Sequence, residues 1–240
     1  MEEMFTILGG MGTAATETFV HLIDELTPAK KDQDYLNYVV FNHAEIPDRT
    51  AYILDNSQEN PLPVMLKDIR QMNLLAPKFM VMTCNTAHYF YDELQAAADF
   101  DIIHMPRETV KHMQQTIPGL KKIGVLSTTG TRQAGIYQKA IAAFGLESVV
   151  PDQTLQDATM SLIYDDIKAT GTFSHDKYQK IVDTMLNDYD CDAVILGCTE
   201  LSVAQSEFPL YPDKVIDPMT VVGQNIVDGL YNKKQLLIKF

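Results

Sequence analysis

Residues 5–12 read Phe-Thr-Ile-Leu-Gly-Gly-Met-Gly, an apolar run followed at once by a glycine-rich turn. The apolar run is of a length typical of a buried strand. Beyond the turn, apolar side chains from Phe19 to Leu26 recur at i, i+3, i+4 and i+7, the spacing of one helix face. This opening segment therefore predicts a strand, a glycine loop and a helix, in that order.

The same alternation continues along the chain. Residues 38–41 and 79–82 are short apolar runs typical of strands, and residues 64–75 have a helical period between them. Strands that alternate with helices in this way indicate βαβ units and a parallel sheet covered on both faces.

The second half of the chain repeats the first. Three segments match in the same order: 123–131 with 5–12, 193–199 with 79–86, and 215–218 with 102–106. We therefore expect an α/β fold of two similar lobes, each a mostly parallel sheet flanked by helices. We expect a pseudo-twofold axis to relate the lobes and the active site to lie in the cleft between them. The expected bounds are 1–100 plus 213–240 for the first lobe and 101–212 for the second.

Composition excludes several classes of partner. The 240 residues include 19 Lys and Arg against 32 Asp and Glu, a formal net charge of −13. Such a charge opposes attraction to nucleic acid phosphates or anionic lipid, so we expect neither nucleic acid nor membrane as a partner. A small acidic amino acid remains compatible, provided that local cations bind it.

The chain starts Met-Glu-Glu, which is unlike the basic start of a secretory signal, and no apolar segment approaches the length of a membrane span. Three cysteines make no disulfide framework. We therefore expect a cytoplasmic protein with free thiols. Cys191 and Cys198 lack the spacing of zinc ligands, so we expect no metal.

Two cysteines lie at the sheet edge where we expect a ligand to bind. Cys84 and Cys198 each follow an apolar strand and precede a helix, at the sheet edge where α/β proteins bind ligands. A helix N-terminus lowers the pKa of a thiol placed there. If the lobes face each other, the two thiols reach one ligand from opposite sides. One thiolate then removes a proton from a carbon and the other thiol supplies a proton to its far face, which predicts a cofactor-independent racemase or epimerase.

Several motifs together resemble the aspartate/glutamate racemase family, most closely its aspartate racemase branch. They are Gly9-Gly10-Met11-Gly12, Pro47-Asp48-Arg49-Thr50, Cys84-Asn85-Thr86-Ala87-His88, the loop 127–131, residues 163–168, and Gly197-Cys198-Thr199-Glu200-Leu201. The resemblance implies racemisation of an acidic amino acid by Cys84 and Cys198 without pyridoxal phosphate, in a homodimer. Glutamate racemases have Asp-Ser-Gly and Gly-Cys-Thr-His where this chain has Gly10-Met11-Gly12 and Gly197-Cys198-Thr199-Glu200, so aspartate is favoured.

The residues around the cysteines are candidates for substrate binding. Helix starts and short polar side chains suit an α-carboxylate, although helix capping explains the same residue types. The candidates that the resemblance supports are Met11, Asn85, Thr86, Ala87, Thr128, Thr199 and Glu200. Glu200 would bind the substrate ammonium or orient the Cys198 thiol, or compensate the helix dipole.

Arg49 and Lys168 are the candidate cations for the distal carboxylate. Arg49 follows the second strand at the edge expected for the cysteines, and its guanidinium binds a carboxylate with two nitrogens. Lys168 ends an amphipathic helical segment. Without the resemblance, each would be read as a surface cation.

Other functions remain open from the sequence. Glutamate or another acidic amino acid is the first alternative substrate. Residues 10–15 also satisfy the Gly-x-Gly-x-x-Ala dinucleotide fingerprint, which favours an NAD-dependent oxidoreductase, but the second strand ends at Phe41-Asn42-His43 without the acidic residue that binds ribose. Another alternative is a non-catalytic amino-acid-binding protein, but the presence of both cysteines counts against it.

Overall fold

The computed structural model describes residues 4–231. Within them the chain forms two compact units. One unit comprises residues 4–105 and 219–231, and the other comprises Pro106–Pro218. The outermost residues assigned above to the first lobe, 1–3 and 232–240, lie outside the described residues.

Each unit contains one parallel four-stranded sheet. In the first unit the strands are β1 (Phe5–Gly9), β2 (Tyr38–Asn42), β3 (Phe79–Met82) and β4 (Asp101–Ile102), in the order β2-β1-β3-β4. In the second unit they are β5 (Lys122–Ser127), β6 (Glu147–Val149), β7 (Ala193–Gly197) and β8 (Val215–Ile216), in the order β6-β5-β7-β8. The same order in both sheets confirms the repeat and the predicted fold class of two α/β lobes.

The helices of the first unit are α1 (Thr13–Leu26), α2 (Arg49–Leu54), α3 (Leu62–Leu75), α4 (Tyr91–Ala97) and most of α11 (Pro218–Leu230). Those of the second unit are most of α5 (Met105–Thr116), then α6 (Thr129–Ala134), α7 (Ile136–Ala143), α8 (Gln153–Ser161), α9 (His175–Asp183) and α10 (Thr199–Glu207). Short 3₁₀ segments span Asp32–Asp34 and Thr86–Phe90, and π-helical segments span Leu162–Lys168 and Thr184–Asp188.

Helices cover both faces of the first sheet, as the apolar strands require. Successive strand side chains point to opposite faces. On one face Leu8, Met80 and Met82 pack with Met65, Ile69 and Met72 of α3, in a cluster that also contains Cys84. On the other face Phe5, Ile7 and Val81 pack with Phe19 and Ile23 of α1 and with Met219, Val222 and Ile226 of α11. Both central strands, β1 and β3, are therefore fully buried.

The boundaries between the units differ from those expected at residues 100 and 213. β4 pairs with β3 and so belongs to the first sheet, while β8 pairs with β7 and belongs to the second. The chain therefore passes between the units directly after these strands, at Met105 and again at Pro218. Among residues 4–231 no helix is long and apolar enough to span a bilayer.

Candidate active site

Cys84 lies at the carboxyl edge of the first sheet. It is the second residue after β3, whose Met82 pairs with Leu8 of β1, so Cys84 and the glycine turn after β1 leave the sheet at the same edge. Cys84 is buried, with 5% of its surface exposed. A 3₁₀ turn follows at Thr86–Phe90 before α4, so the α-helix expected directly after Cys84 begins several residues later.

Thr16 connects the glycine turn to the strand that carries Cys84. Its Oγ1 accepts a hydrogen bond from the backbone nitrogen of Gly10 at 3.0 Å. The same atom lies 3.0 Å from Oγ1 of Thr83, the residue before Cys84. Because Thr16 and Thr83 are buried, these bonds hold the glycine turn and the Cys84 backbone in one fixed arrangement.

Arg49 begins α2 and is buried, although it carries a charge. Its Nη2 donates to the carbonyl oxygen of Met11 at 2.8 Å. Its Nη1 donates to the carbonyl oxygens of Ile46 and Pro47 at 3.2 and 3.0 Å. The guanidinium thus joins the loop after β2 to the glycine turn. That bonding was not foreseen from the sequence, and the binding of a distal carboxylate by Arg49 stays a prediction.

His88 fixes the backbone around Cys84. Its Nδ1 lies 3.0 Å from the carbonyl oxygen of Cys84 and 3.2 Å from that of Asn85, while its Nε2 accepts a hydrogen bond from the Met105 nitrogen at 3.2 Å. Since carbonyls only accept and the amide only donates, the bonds require a neutral ring with its hydrogen on Nδ1. Both ring nitrogens are therefore engaged, which agrees with a structural role.

A pair that the sequence did not reveal lies at the same sheet edge. His43 directly follows β2, and its Nδ1 lies 3.0 and 2.9 Å from the two carboxylate oxygens of Asp68 on α3. Asp68 is buried. The two residues are far apart in sequence and belong to no motif, so only the helical position of Asp68 among buried neighbours could have indicated an inward carboxylate.

Cys198 has the equivalent place in the second unit. It directly follows β7, whose last residue Gly197 pairs with Ser127 at the end of β5, and it is the N-cap residue of α10. A Cβ on Gly197 would lie 3.0 Å from both the Ser127 Cβ and the Tyr137 ring, so a larger residue would force these neighbours to move. Thr128, the residue after Ser127, caps α6 by accepting from the Thr131 nitrogen at 3.2 Å.

The Cys198 thiol donates to a carboxylate. Its Sγ lies 2.8 Å from Oε2 of Glu200, and Thr199 Oγ1 donates to the same oxygen at 3.4 Å. Burial raises the pKa of Cys198 well above its ordinary value, and the Glu200 carboxylate raises it further, while Lys168 offsets part of the effect. The expectation that the helix N-terminus would lower this pKa was wrong, because burial and the adjacent carboxylate outweigh the helix dipole.

Lys168 reaches the same carboxylate. Its Nζ lies 3.6 Å from Oε1 of Glu200 and 4.4 Å from the centre of the Tyr164 ring. It ends the π-helical segment Leu162–Lys168. The sequence placed Lys168 at a helix end but did not reveal this pairing with Glu200. Its contact with a substrate carboxylate stays a prediction.

Cys191 lies at the opposite end of β7 from Cys198. It precedes β7, whereas Cys198 follows that strand. Burial raises the pKa of Cys191 to about 11, so little thiolate forms near neutral pH. Its placement agrees with the prediction of a thiol without a chemical role.

Within each unit, the structure brings several of the predicted residues together. In the first unit Met11 and Arg49 are hydrogen-bonded, and Cys84, Asn85, Thr86 and Ala87 are buried in one continuous turn. In the second unit Lys168, Cys198, Thr199 and Glu200 form one contact cluster, and Thr128 directly follows β5, the strand that pairs with β7. Their roles toward a substrate stay predictions.

Comparison with known proteins gives a consistent result. The model of the family described as Asp/Glu/Hydantoin racemase matches residues 8–225. The broad specificity amino-acid racemase RacX of Bacillus subtilis is 28% identical over 217 residues, which is 86% of this chain and 91% of RacX. A glutamate racemase of Aquifex aeolicus is 25% identical over 64% of this chain and 59% of its own length. The structure of Picrophilus torridus aspartate racemase superposes with a TM-score of 0.77 and is 27% identical, covering 96% of this chain and 94% of that one.

Proposed function

This chain belongs to the Asp/Glu/Hydantoin racemase family, and we propose that it interconverts L- and D-aspartate without a cofactor. In this proposal Cys84 and Cys198 are the two acid/base groups. One thiolate removes the α-proton of aspartate, and the other thiol delivers a proton to the opposite face of the resulting carbanion.

A single observation carries the proposal: the two cysteines follow equivalent strands. β3 and β7 occupy the same position in sheets of the same strand order, and Cys84 and Cys198 lie within two residues of their carboxyl ends. In a two-base inversion, a base acts on one face of the stereocentre and an acid on the other, and the two groups exchange roles in the reverse direction. Two thiols at repeated positions match that requirement.

The surroundings of the cysteines suit the α-carboxylate of an amino acid. Asn85 and Thr86 are buried polar residues directly after Cys84, and Thr199 is the first residue of α10 after Cys198. Backbone N–H groups at helix starts favour anions. We propose that these residues bind the α-carboxylate, while Arg49 and Lys168 select the distal carboxylate.

Aspartate is favoured over glutamate by two features. This chain has Gly10-Met11-Gly12 and Thr199-Glu200 where glutamate racemases have Asp-Ser-Gly and Thr-His. The protein from Picrophilus torridus to which it is similar is an aspartate racemase. The similarity to RacX, a broad specificity amino-acid racemase, supports a second candidate function, namely racemisation of several amino acids.

The test is a substrate panel with the purified, dialysed chain. L-aspartate, L-glutamate and L-alanine are incubated separately, and the enantiomers are resolved by chiral chromatography. We expect D-aspartate to form fastest, with glutamate slower and alanine slowest because alanine lacks the distal carboxylate. Comparable rates on all three would support the broad specificity instead. Retention of full optical purity by aspartate and glutamate would refute the racemase proposal.

A further inference from the structure

The contact between Cys198 and Glu200 fixes where a proton lies. The Sγ and Oε2 atoms are 2.8 Å apart, and the two residues are only 5% and 6% exposed. A thiolate and a carboxylate would place two negative charges side by side with little water to screen them. A thiol that donates to a carboxylate satisfies both groups, so the hydrogen lies on sulfur.

Lys168 supplies the opposing charge. Its Nζ lies 3.6 Å from Oε1, the carboxylate oxygen that does not bind the thiol, and its side chain is 27% exposed. The amine therefore pairs with the carboxylate oxygen that does not accept from the thiol. Lys168 also favours negative charge on sulfur, so it opposes the effect of Glu200 on Cys198.

Among the described residues, a buried phenol also interacts with the Cys198 thiol. Tyr137 on α7 is fully buried and interacts with Cys198. Burial, Asp217 and Cys198 raise the pKa of its phenol well above the ordinary value, so the phenol stays neutral in ordinary buffers. Asp217, after β8, acts on this phenol and is hydrogen-bonded to Ser202. Among the described residues, Glu200 and Lys168 are the charged groups that shift the pKa of Cys198.

We infer that Glu200 is a positioning residue that keeps Cys198 protonated in the free protein, with Lys168 as its counter-charge. The inference rests on the proposed function for its catalytic meaning. With Cys198 as the proton donor and Cys84 as the base, the free protein is poised for the enantiomer whose α-hydrogen faces Cys84.

Proton uptake and proton release are equal over this cycle. The Cys84 thiolate takes the α-proton and becomes a thiol, while Cys198 gives its proton to the carbanion and becomes a thiolate. The Cys198 thiolate beside Glu200 then regains a proton from solvent, and Cys84 releases one to solvent. No redox partner is required, and Glu200 accepts a hydrogen bond from Cys198 while it is a thiol, without taking its proton.

The test measures the thiol without any substrate. In a Cys84→Ala/Cys191→Ala background Cys198 is the only cysteine, and its alkylation by iodoacetamide is followed between about pH 6 and about pH 9. We expect Glu200→Gln to raise the alkylation rate at a fixed pH by about tenfold or more, since one pKa unit changes the thiolate fraction about tenfold. We expect Lys168→Met to lower the rate.

Glu207→Gln is the matched control, because Glu207 ends the same helix with a side chain that is 58% exposed. Its rate should equal that of the parent. Local unfolding would speed alkylation, so the slowing expected of Lys168→Met cannot arise from a damaged fold. Rates within about twofold of the parent for both Glu200→Gln and Lys168→Met would overturn the inference. If the alkylation rates are as expected but the wild-type chain does not racemise aspartate, the proposed function alone is refuted.

Discussion

The Nη2 atom of Arg49, the first residue of α2, donates to the carbonyl oxygen of Met11 in the glycine turn at 2.8 Å. The same guanidinium binds two carbonyl oxygens of the loop after β2. A lysine has one nitrogen on a flexible stem and cannot reproduce this bonding. The relationship makes Arg49 a structural link between the loop after β2 and the glycine turn.

Arg49→Lys should therefore destabilise the fold. We expect the free energy of unfolding to fall by about 2 to 3 kcal/mol, because buried carbonyls lose bonds to a charged donor. Urea denaturation measures the change, and the exposed Arg70→Lys is the control, with an expected change within about 0.5 kcal/mol. Unchanged stability with a loss of activity on aspartate, but not on alanine, would show that Arg49 serves the substrate carboxylate instead.

Substitution of the three cysteines by alanine should lower the rate of racemisation to very different extents. Cys84→Ala and Cys198→Ala should each lower kcat by about 10²-fold to 10⁴-fold, the contribution of a positioned acid or base. Cys191→Ala is the matched control and should retain activity, since Cys191 precedes β7. Steady-state racemisation of aspartate measures all three. Substantial turnover by either of the first two variants would point to a mechanism with one base.

Stability should depend on the ionisation of Cys191 at alkaline pH. Burial raises its pKa to about 11 in the folded protein, above the ordinary value of 9.0. Below about pH 9 the thiol is protonated in both states and the stabilisation is complete. As pH rises from about 9 to about 11 the unfolded state loses the proton first, so stability falls.

Comparison with Cys191→Ala isolates this effect. The variant carries a constant packing cost, so the pH-dependent part of the difference reports the thiol alone. We expect the stability advantage of the parent to shrink by about 1 to 2 kcal/mol between pH ~8 and pH ~11, as measured by urea denaturation. An equal difference at both pH values would show that Cys191 has an ordinary pKa in the folded protein.

Gly10 should tolerate no side chain. Its φ is +86°, and a Cβ there would lie 2.6 Å from the backbone nitrogen and oxygen of His43. Gly119 has a φ of +74°, but no described atom lies within 4 Å of its would-be Cβ. Gly119→Ala thus measures the backbone cost alone, about 1 to 2 kcal/mol. Gly10→Ala should cost at least about 2 kcal/mol more. Equal thermal melting of the two variants would contradict the close approach.

Much of the fold could be predicted from the sequence. The runs before Gly9, Cys84 and Cys198 are buried on both faces of a parallel sheet, so they are mostly apolar and easy to recognise. The boundaries between the units were harder, because β4 and β8 are two-residue strands. The sheet to which each belongs depends on pairing with a strand that is distant in the sequence. A segment of two residues carries no local signal of that pairing.

The chemistry of the candidate site was only partly predictable. Cys84, Cys198 and Glu200 are adjacent to strand ends and therefore visible in the sequence. The bonds of Arg49 to three carbonyls leave no sequence signal, since every residue has a carbonyl. The pair of His43 and Asp68 joins β2 to α3. The pKa of Cys198 depends on burial and on the position of a carboxylate, which only the folded chain determines.

The most direct test of the two-thiol account follows single enantiomers in deuterated water. L-aspartate is incubated with the protein in D₂O, and both enantiomers are separated at early times for mass analysis of the α-position. Thiols exchange with solvent, so the donor thiol delivers deuterium to the face opposite the departing proton. The account predicts that newly formed D-aspartate is almost fully α-deuterated while the remaining L-aspartate keeps its protium. D-aspartate that retains the original α-proton, or the absence of D-aspartate, would contradict it.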